Sequence, residues 1–297
     1  MTELGRVITA MITPFDEEGA VDYAEAGRLA RALIASGSDG LVVTGTTGES
    51  PTLTAEERLR LYGQVKAAVG DGAAVIAGTG TNNTAESIAN SRDAEREGAD
   101  AALLVVPAYN KPPQEGLYRH FRAVAESVSI PCVLYNVPSR TGQNMEAETV
   151  VRLSEIDNIV GVKEASGDLG QISKIIESAG SAFRVWSGND DETFDIVAAG
   201  GYGVVSVASH LIGAQIRGMI SLLLEGDAEA AAAEHRRLLD INRVIFTVSN
   251  PIPIKHTVAR RGYRVGRPRL PLVPLTPQEA ALVDEVVDRY ELDLPLG

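Results

Sequence analysis

The chain has 297 residues, of which 44% are hydrophobic, and its formal net charge is −13. This length and apolar content are sufficient for one large core, and the acidic balance disfavours nonspecific binding to nucleic acid or to an anionic membrane. No apolar run approaches the roughly 18 residues of a membrane span, and residues 1–10 lack the apolar core of an export signal. These features predict a cytoplasmic protein.

Cysteine and histidine usage supports neither a disulfide nor a metal site. Cys132 is the only cysteine, which suits a reducing compartment. It stands in an apolar run without basic neighbours, so we interpret it as a small core residue rather than a reactive thiol. The four histidines are scattered and form no HExxH-like pair.

Short apolar runs alternate with amphipathic segments along the first three quarters of the chain. Runs that are apolar on both faces are typical of parallel strands covered by helices; they occupy residues 7–12, 40–44, 74–77, 101–106, 132–135, 159–162, 184–186 and 204–207. Several helical segments begin with capping signals. Asp22 with Glu25 and Thr54 with Glu57 resemble capping boxes, and Asp168 heads a third segment.

This alternation predicts an α/β fold, specifically a closed (β/α)8 TIM barrel. An open doubly wound sheet is the alternative, but its Gly-x-Gly-x-x-Gly turn is absent after the first strand, where Thr13-Pro14-Phe15-Asp16 stands instead. Beyond residue 226 the pattern becomes all-helical, with helices expected at 228–246, 254–261 and 276–290. We therefore predict a catalytic barrel over residues 1–226 and a small C-terminal helical domain over residues 227–297.

Reactive groups of barrel enzymes lie where strands end. The second strand ends in Gly45-Thr46-Thr47-Gly48, whose backbone N–H groups can cradle an anion. Without the lysine of a phosphate-binding loop, a carboxylate is the better candidate than a nucleotide. An ordinary turn is the alternative interpretation. The fourth strand brings Tyr109 to the rim.

The fifth, sixth and seventh strands also end in polar residues. Tyr135 could relay protons or be a core aromatic, and Arg140 could clamp a carboxylate or be a solvated surface residue. Lys163 ends the sixth strand, where desolvation would free its amine for attack on a carbonyl, although a strand-end lysine can also extend to water. Gly188 after the seventh strand allows close backbone approach, and Asp190 with Asp191 could cap the next helix.

Together these motifs resemble the dihydrodipicolinate synthase (4-hydroxy-tetrahydrodipicolinate synthase) family, within the pyruvate-dependent class I aldolase superfamily of N-acetylneuraminate lyase. The similarity runs in order over nearly the whole chain. The matching segments are GTTGES (45–50), YNKP (109–112), YNVPSRTG (135–142), GVKEA (161–165), SGND (187–190) and NPIPIK (250–255).

The resemblance implies a role for each matching position. Lys163 would form a Schiff base with pyruvate, and Tyr135, Thr46 and Tyr109 would relay protons, with Tyr109 reaching the neighbouring subunit's site. The remaining implied contacts concern the two substrates: Thr46 and Thr47 would bind the pyruvate carboxylate near Gly188 and Val205, and Arg140 would bind the carboxylate of aspartate semialdehyde.

The resemblance also implies a lyase that makes 4-hydroxy-tetrahydrodipicolinate, the first committed step of diaminopimelate and lysine biosynthesis. It implies no cofactor and a homotetramer built as a dimer of dimers. Lysine-inhibited members carry a tyrosine where this chain has Ala108, and histidines where it has Ala55 and Arg58, although Asn82 and Glu86 match. We therefore predict that inhibition by lysine is weak or absent.

Two other functions remain as alternatives. A pyruvate-dependent aldolase of 2-keto sugar acids, of the N-acetylneuraminate lyase or 2-keto-3-deoxygluconate aldolase type, would use the same lysine, but such enzymes usually lack an arginine at the position of Arg140. A non-catalytic barrel that senses a 2-oxo acid would be expected to have lost Lys163 or the proton relay, and this chain retains both.

Overall fold

The computed structural model describes residues 3–297 and contains a closed barrel of eight parallel strands in which each strand pairs with the next and β8 pairs with β1. The strands are β1 (Val7–Ala10), β2 (Gly40–Val43), β3 (Ala74–Gly78), β4 (Ala101–Val105), β5 (Cys132–Asn136), β6 (Ile159–Glu164), β7 (Arg184–Ser187) and β8 (Gly203–Ser206). The predicted (β/α)8 fold is confirmed, and each predicted strand ends within one or two residues of the observed one.

Helices connect the strands and cover the outside of the barrel. They are α1 (Tyr23–Ala35), α2 (Ala55–Val69), α3 (Thr84–Arg96), α4 (Gln114–Ala125), α5 (Pro138–Thr141), α6 (Ala147–Leu153), α7 (Leu169–Ser178), α8 (Thr193–Ala198) and α9 (Ser209–Leu224). Three more helices follow, α10 (Ala228–Val244), α11 (Ile252–Arg260) and α12 (Pro277–Val287). Among residues 3–297, no helix is both long and apolar enough to cross a membrane.

Apolar side chains fill both faces of the strands because each strand is packed from inside and outside. One cluster fills the barrel interior and includes Ile8, Val42, Ile76 and Trp186. Two outer clusters pack between the strands and the surrounding helices. Cys132 belongs to one of them, is fully buried, and has a pKa raised to about 12 by that burial. Its predicted place in the core is confirmed.

The capping signals have different outcomes at the three predicted helix starts. Thr54 and Glu57 form the complete capping box of α2, and Asp168 accepts a hydrogen bond from the Gln171 N–H at the start of α7. Only one of the two hydrogen bonds of the capping box predicted at α1 is present. Asp22 caps the Glu25 N–H, but the Glu25 carboxylate turns away to accept from Arg28 and from the backbone N–H of Arg264.

The C-terminal helices pack directly against the barrel rather than around a core of their own. Leu238 and Ile241 of α10, Val258 of α11 and Val283 of α12 belong to the same apolar cluster as Leu41 of β2. This continuity brings residues after position 244 close to the ends of the first strands. The division at residues 226 and 227 stays a prediction.

Candidate active site

A cavity of about 170 Å³ opens at the carboxyl ends of the strands. Its lining includes most of the residues predicted from strand ends, namely Thr46, Thr47, Tyr135, Arg140, Lys163 and Gly188. Parallel strands in one barrel end at the same rim, so residues far apart in sequence converge there.

Lys163 lies deep in this cavity, with only 6% of its surface exposed. It stands opposite Tyr135 in the pairing of β6 with β5, and its Nζ lies 4.3 Å from the centre of the Tyr135 ring. Gly188 lies on the other side of the lysine side chain. A Cβ at that position would be 3.2 Å from Lys163 Cε and only 2.7 Å from Ala165 Cβ. Gly188 therefore leaves room for the lysine side chain.

Burial lowers the pKa of Lys163 to about 8. Removal of the charged ammonium form from water is the main cause of the lowered pKa. The nearby carboxylate of Asp190 partly opposes this shift, and the guanidinium of Arg140 adds to it. Within residues 3–297, no carboxylate lies within ion-pair distance of Nζ. About one tenth of the amine is thus neutral at pH 7, far more than for a lysine in water, and able to attack a carbonyl.

Tyr135 is positioned to exchange protons with a group bound at Lys163. Its ring is buried, and burial raises the pKa of its hydroxyl to about 12, against smaller opposing effects of the Arg140 charge and of the nearby Thr46 hydroxyl. The phenol is therefore protonated throughout the ordinary pH range. Tyr135 and Thr46 line the same cavity, and both hydroxyl groups are able to exchange protons with a ligand bound there.

The loop that carries Thr46 and Thr47 has an unusual backbone. Thr44 and Glu49, on either side, adopt left-handed conformations with φ of 54° and 57°. The Thr44 hydroxyl makes a hydrogen bond of 2.7 Å with that of Tyr62, and a Cβ on Gly48 would lie 3.0 Å from Thr44 Cα. The loop is thus tightly folded and directs both threonines toward the cavity.

Arg140 follows β5 on the short helix α5 and lines the cavity mouth. It forms no ion pair with the carboxylates of residues 3–297. An arginine that faces a cavity without an internal partner is available for an anionic ligand.

Two predicted site residues lie outside the cavity. The Tyr109 side chain is 92% exposed, and its backbone is left-handed with φ of 74°. Val205 is buried in the interior cluster of the barrel, and the cavity wall at this strand is formed by Val207 instead.

The prediction that Asp190 caps the helix that follows it is wrong. Its buried carboxylate accepts hydrogen bonds from the Ser206 hydroxyl and from the N–H groups of Val207 and Ala208, the latter at 2.9 and 3.2 Å. Because β7 and β8 are neighbours, this side chain crosses to the end of the next strand. It thereby fixes the segment that supplies Val207 to the cavity.

Among the cavity residues to which the sequence analysis assigned no role, Phe246 and Asn250 come from outside the strands and the loops that follow them. Both lie after α10, in the helical part of the chain, where no strand end pointed to a site. Asn250 heads the motif 250–255, but the motif alone assigned it no chemistry.

Comparison with known proteins supports the same family. The model of the dihydrodipicolinate synthetase family matches residues 3–289. The chain belongs to this family. A 4-hydroxy-tetrahydrodipicolinate synthase of Dehalococcoides mccartyi is 56% identical over 296 residues, which cover 100% of both chains.

Solved structures agree in fold over the full length. The dihydrodipicolinate synthase of Bacillus anthracis is 45% identical with a TM-score of 0.96, covering 98% of this chain and 100% of that one. The enzyme of Cyanidioschyzon merolae, crystallised with lysine bound, is 44% identical with a TM-score of 0.94, covering 97% and 99%. The predicted family is confirmed, and the sugar-acid aldolase alternative is not favoured.

Proposed function

We propose that this chain is a Schiff-base-forming lyase that condenses pyruvate with L-aspartate 4-semialdehyde to give 4-hydroxy-tetrahydrodipicolinate. The observation that carries the proposal is Lys163, a buried lysine of lowered pKa without an ion-pair partner in the described chain, over the ring of Tyr135 at the rim of a barrel. The relatives of matching length carry this activity in their names.

The first half of the reaction captures pyruvate. The neutral Lys163 amine adds to the ketone carbon, and the resulting carbinolamine loses its hydroxyl as water with a proton supplied through Tyr135. The iminium then withdraws electrons from the methyl group, which loses a proton to leave an enamine. Proton transfer by a positioned side chain of this kind contributes about 10²–10⁴ in rate.

The second half joins the two substrates and releases the enzyme. The enamine carbon attacks the aldehyde carbon of the semialdehyde, whose oxygen takes up a proton. The amine of the new chain then adds to the imine carbon and displaces the Lys163 amine as the ring closes. One water leaves overall, and the lysine returns to its starting state.

Binding roles follow from the groups that line the cavity. Thr46 and Thr47 would hold the pyruvate carboxylate, with Gly188 leaving space beside the imine. Arg140, which forms no internal ion pair among the described residues, would bind the carboxylate of the semialdehyde. A polyol substrate offers no such anion at this position, so Arg140 supports the semialdehyde over a sugar acid.

Assembly would complete the site. Tyr109 would extend its hydroxyl into the cavity of a second subunit and take part in the proton relay there, and its exposed side chain on a left-handed backbone supports this role. We further propose a homotetramer made of two tight dimers, located in the cytoplasm.

Trapping with borohydride tests the nucleophile. Incubation with pyruvate and borohydride should give a reduced pyruvate adduct on Lys163, located by mass spectrometry of peptides, and Lys163→Ala should give none. An unmodified wild-type protein would refute the proposal. A coupled assay with aspartate semialdehyde, set against 2-keto sugar acids, then identifies the second substrate.

A further inference from the structure

Asn250 reaches the threonine loop from the C-terminal part of the chain. Its side chain is 7% exposed and lines the cavity. Its Nδ2 donates a hydrogen bond of 2.8 Å to Thr47 Oγ1. The cavity wall thus contains a buried polar side chain that the proposed reaction does not use.

The direction of this hydrogen bond leaves the Thr47 proton free. An amide nitrogen can only donate, so the Thr47 hydroxyl accepts it with a lone pair. Within residues 3–297, Thr47 Oγ1 makes no second side-chain hydrogen bond. Its own proton is consequently available to an acceptor inside the cavity that Thr47 lines.

Packing alone does not account for an asparagine at position 250. Its Oδ1 is buried and has no hydrogen-bond partner in the described chain, and an unpaired buried oxygen costs free energy. The same segment also fixes the far end of the loop, because Lys255 on α11 forms a buried ion pair of 2.6 Å with Glu49. The loop is therefore anchored at two points by residues 250–255.

We propose that Asn250 is a positioning residue that orients the Thr47 hydroxyl so that it donates its proton to the carboxylate of pyruvate. The inference rests on the proposed function, since it takes the threonine loop as the pyruvate carboxylate site. It adds a residue from beyond the barrel to the determinants of substrate affinity.

Steady-state kinetics of Asn250→Ala and Asn250→Asp test the proposal. Asn250→Ala lets the Thr47 hydroxyl rotate and should raise KM for pyruvate about tenfold, the effect of one lost hydrogen bond to a charged group. Asn250→Asp should raise it further, because a carboxylate takes the Thr47 proton for itself and repels the substrate anion. KM for aspartate semialdehyde should stay unchanged in both variants.

A double-mutant cycle with Thr47→Val separates positioning from general damage. Thr47→Val removes the hydroxyl at nearly constant volume, so adding Asn250→Ala to it should change KM for pyruvate little further. Additive effects of the two substitutions would overturn the proposal, as would a smaller effect of Asn250→Asp than of Asn250→Ala.

Asn242→Ala is the matched control. Asn242 is also a buried asparagine, 4% exposed, with an unpartnered Oδ1 and a hydrogen bond of 3.4 Å to the Asp190 carbonyl. The Asn242→Ala variant should lose about as much thermal stability as Asn250→Ala and should keep the wild-type KM for pyruvate. If the wild type forms the Lys163 adduct and both Asn250 variants keep the wild-type KM for pyruvate, this inference is wrong and the proposed function stands. If the wild type forms no adduct, the proposed function itself is wrong.

Discussion

At the scale of single residues, the reactivity of Lys163 follows from its burial away from water. A lysine in water has a pKa near 10.4, and at neutral pH almost none of it is a nucleophile. Burial in the barrel mouth lowers the pKa of Lys163 to about 8. The same burial raises the pKa of Tyr135 to about 12, so one environment favours a neutral amine beside a neutral phenol.

The rate of adduct formation between Lys163 and pyruvate should therefore rise with pH and level off above pH 8. A group of pKa about 8 is only about one tenth neutral at pH 7, so the rate should increase roughly tenfold from pH 7 to the plateau. Tyr135 stays protonated over this range and should not contribute to the profile. Rapid-quench trapping with borohydride measures the rate, and a rise that continues undiminished to pH 10 would contradict the assigned pKa.

Arg140 should act mainly on the second substrate, because its effect on the pKa of Lys163 is smaller than that of burial. Loss of a bidentate contact to a carboxylate costs roughly 1.5–3 kcal/mol, so Arg140→Ala should raise KM for aspartate semialdehyde by about one to two orders of magnitude. Adduct formation with pyruvate should continue at a rate close to that of the wild type.

Arg140→Lys is the informative control for this prediction, because it keeps the charge and loses the planar fork. It should lie between the wild type and Arg140→Ala. Equal losses of pyruvate capture and semialdehyde affinity in Arg140→Ala would show that this arginine does not distinguish the substrates.

At the scale of elements, the ion pair between Glu49 and Lys255 connects the loop after β2 to helix α11. Both side chains are almost completely buried, and Glu49 Oε2 also accepts the Arg269 N–H at 2.8 Å. Burial lowers the pKa of Lys255 to about 8, an effect that Glu49 opposes. Lys255 shares with Lys163 a lowered pKa, but its ion pair with Glu49 makes it structural.

Removing one partner of this pair should destabilise the protein more than removing both. Lys255→Met leaves the Glu49 carboxylate buried without its partner, which costs about 3–5 kcal/mol. The double variant Glu49→Gln with Lys255→Met removes the uncompensated charge and should recover most of that loss. Denaturant unfolding measures both, and additive destabilisation would contradict a mutual interaction.

At the scale of the whole molecule, the exposed Tyr109 makes a prediction about assembly. Tyr109→Phe and Lys163→Ala chains should each have little activity alone. Co-expressed, they form mixed dimers in which the Tyr109→Phe chain keeps Lys163 and receives an intact Tyr109 from its partner. Random pairing should restore about a quarter of the wild-type activity, because half of the dimers are mixed and each has one complete site.

Mixing Tyr135→Phe with Lys163→Ala provides the control, because Tyr135 and Lys163 line one cavity of the same chain. That mixture should stay inactive. If the Tyr109→Phe mixture also stays inactive, Tyr109 does not serve a neighbouring site.

Inhibition by lysine is a further property to test at this scale. The relative from Cyanidioschyzon merolae was crystallised with lysine, whereas this chain has Ala108, Ala55 and Arg58 at positions that the family resemblance connects with lysine inhibition. We expect sub-millimolar lysine to leave the activity nearly unchanged in the coupled assay. Strong inhibition in that range would show that other residues form the regulatory site.

The barrel and the residues at its strand ends could be predicted from the amino-acid sequence. Each strand had to be apolar on both faces because helices cover the outside and side chains fill the inside, and that pattern is readable without coordinates. All strands of a parallel barrel end at the same rim, so residues that follow strand ends must lie near one another. Thr46, Tyr135, Arg140 and Lys163 could be found for this reason.

The hydrogen-bond partners of the polar residues could not be predicted in this way and are known from the folded structure. The Asp190 carboxylate binds the end of β8, the Glu25 carboxylate binds Arg28 and the Arg264 N–H, and Asn250 binds Thr47. These partners are 17, 3, 239 and 203 positions away in sequence, and no local periodicity encodes the longer separations. Polar side chains bind whichever donors and acceptors folding brings within reach, so their partners follow from packing and not from spacing.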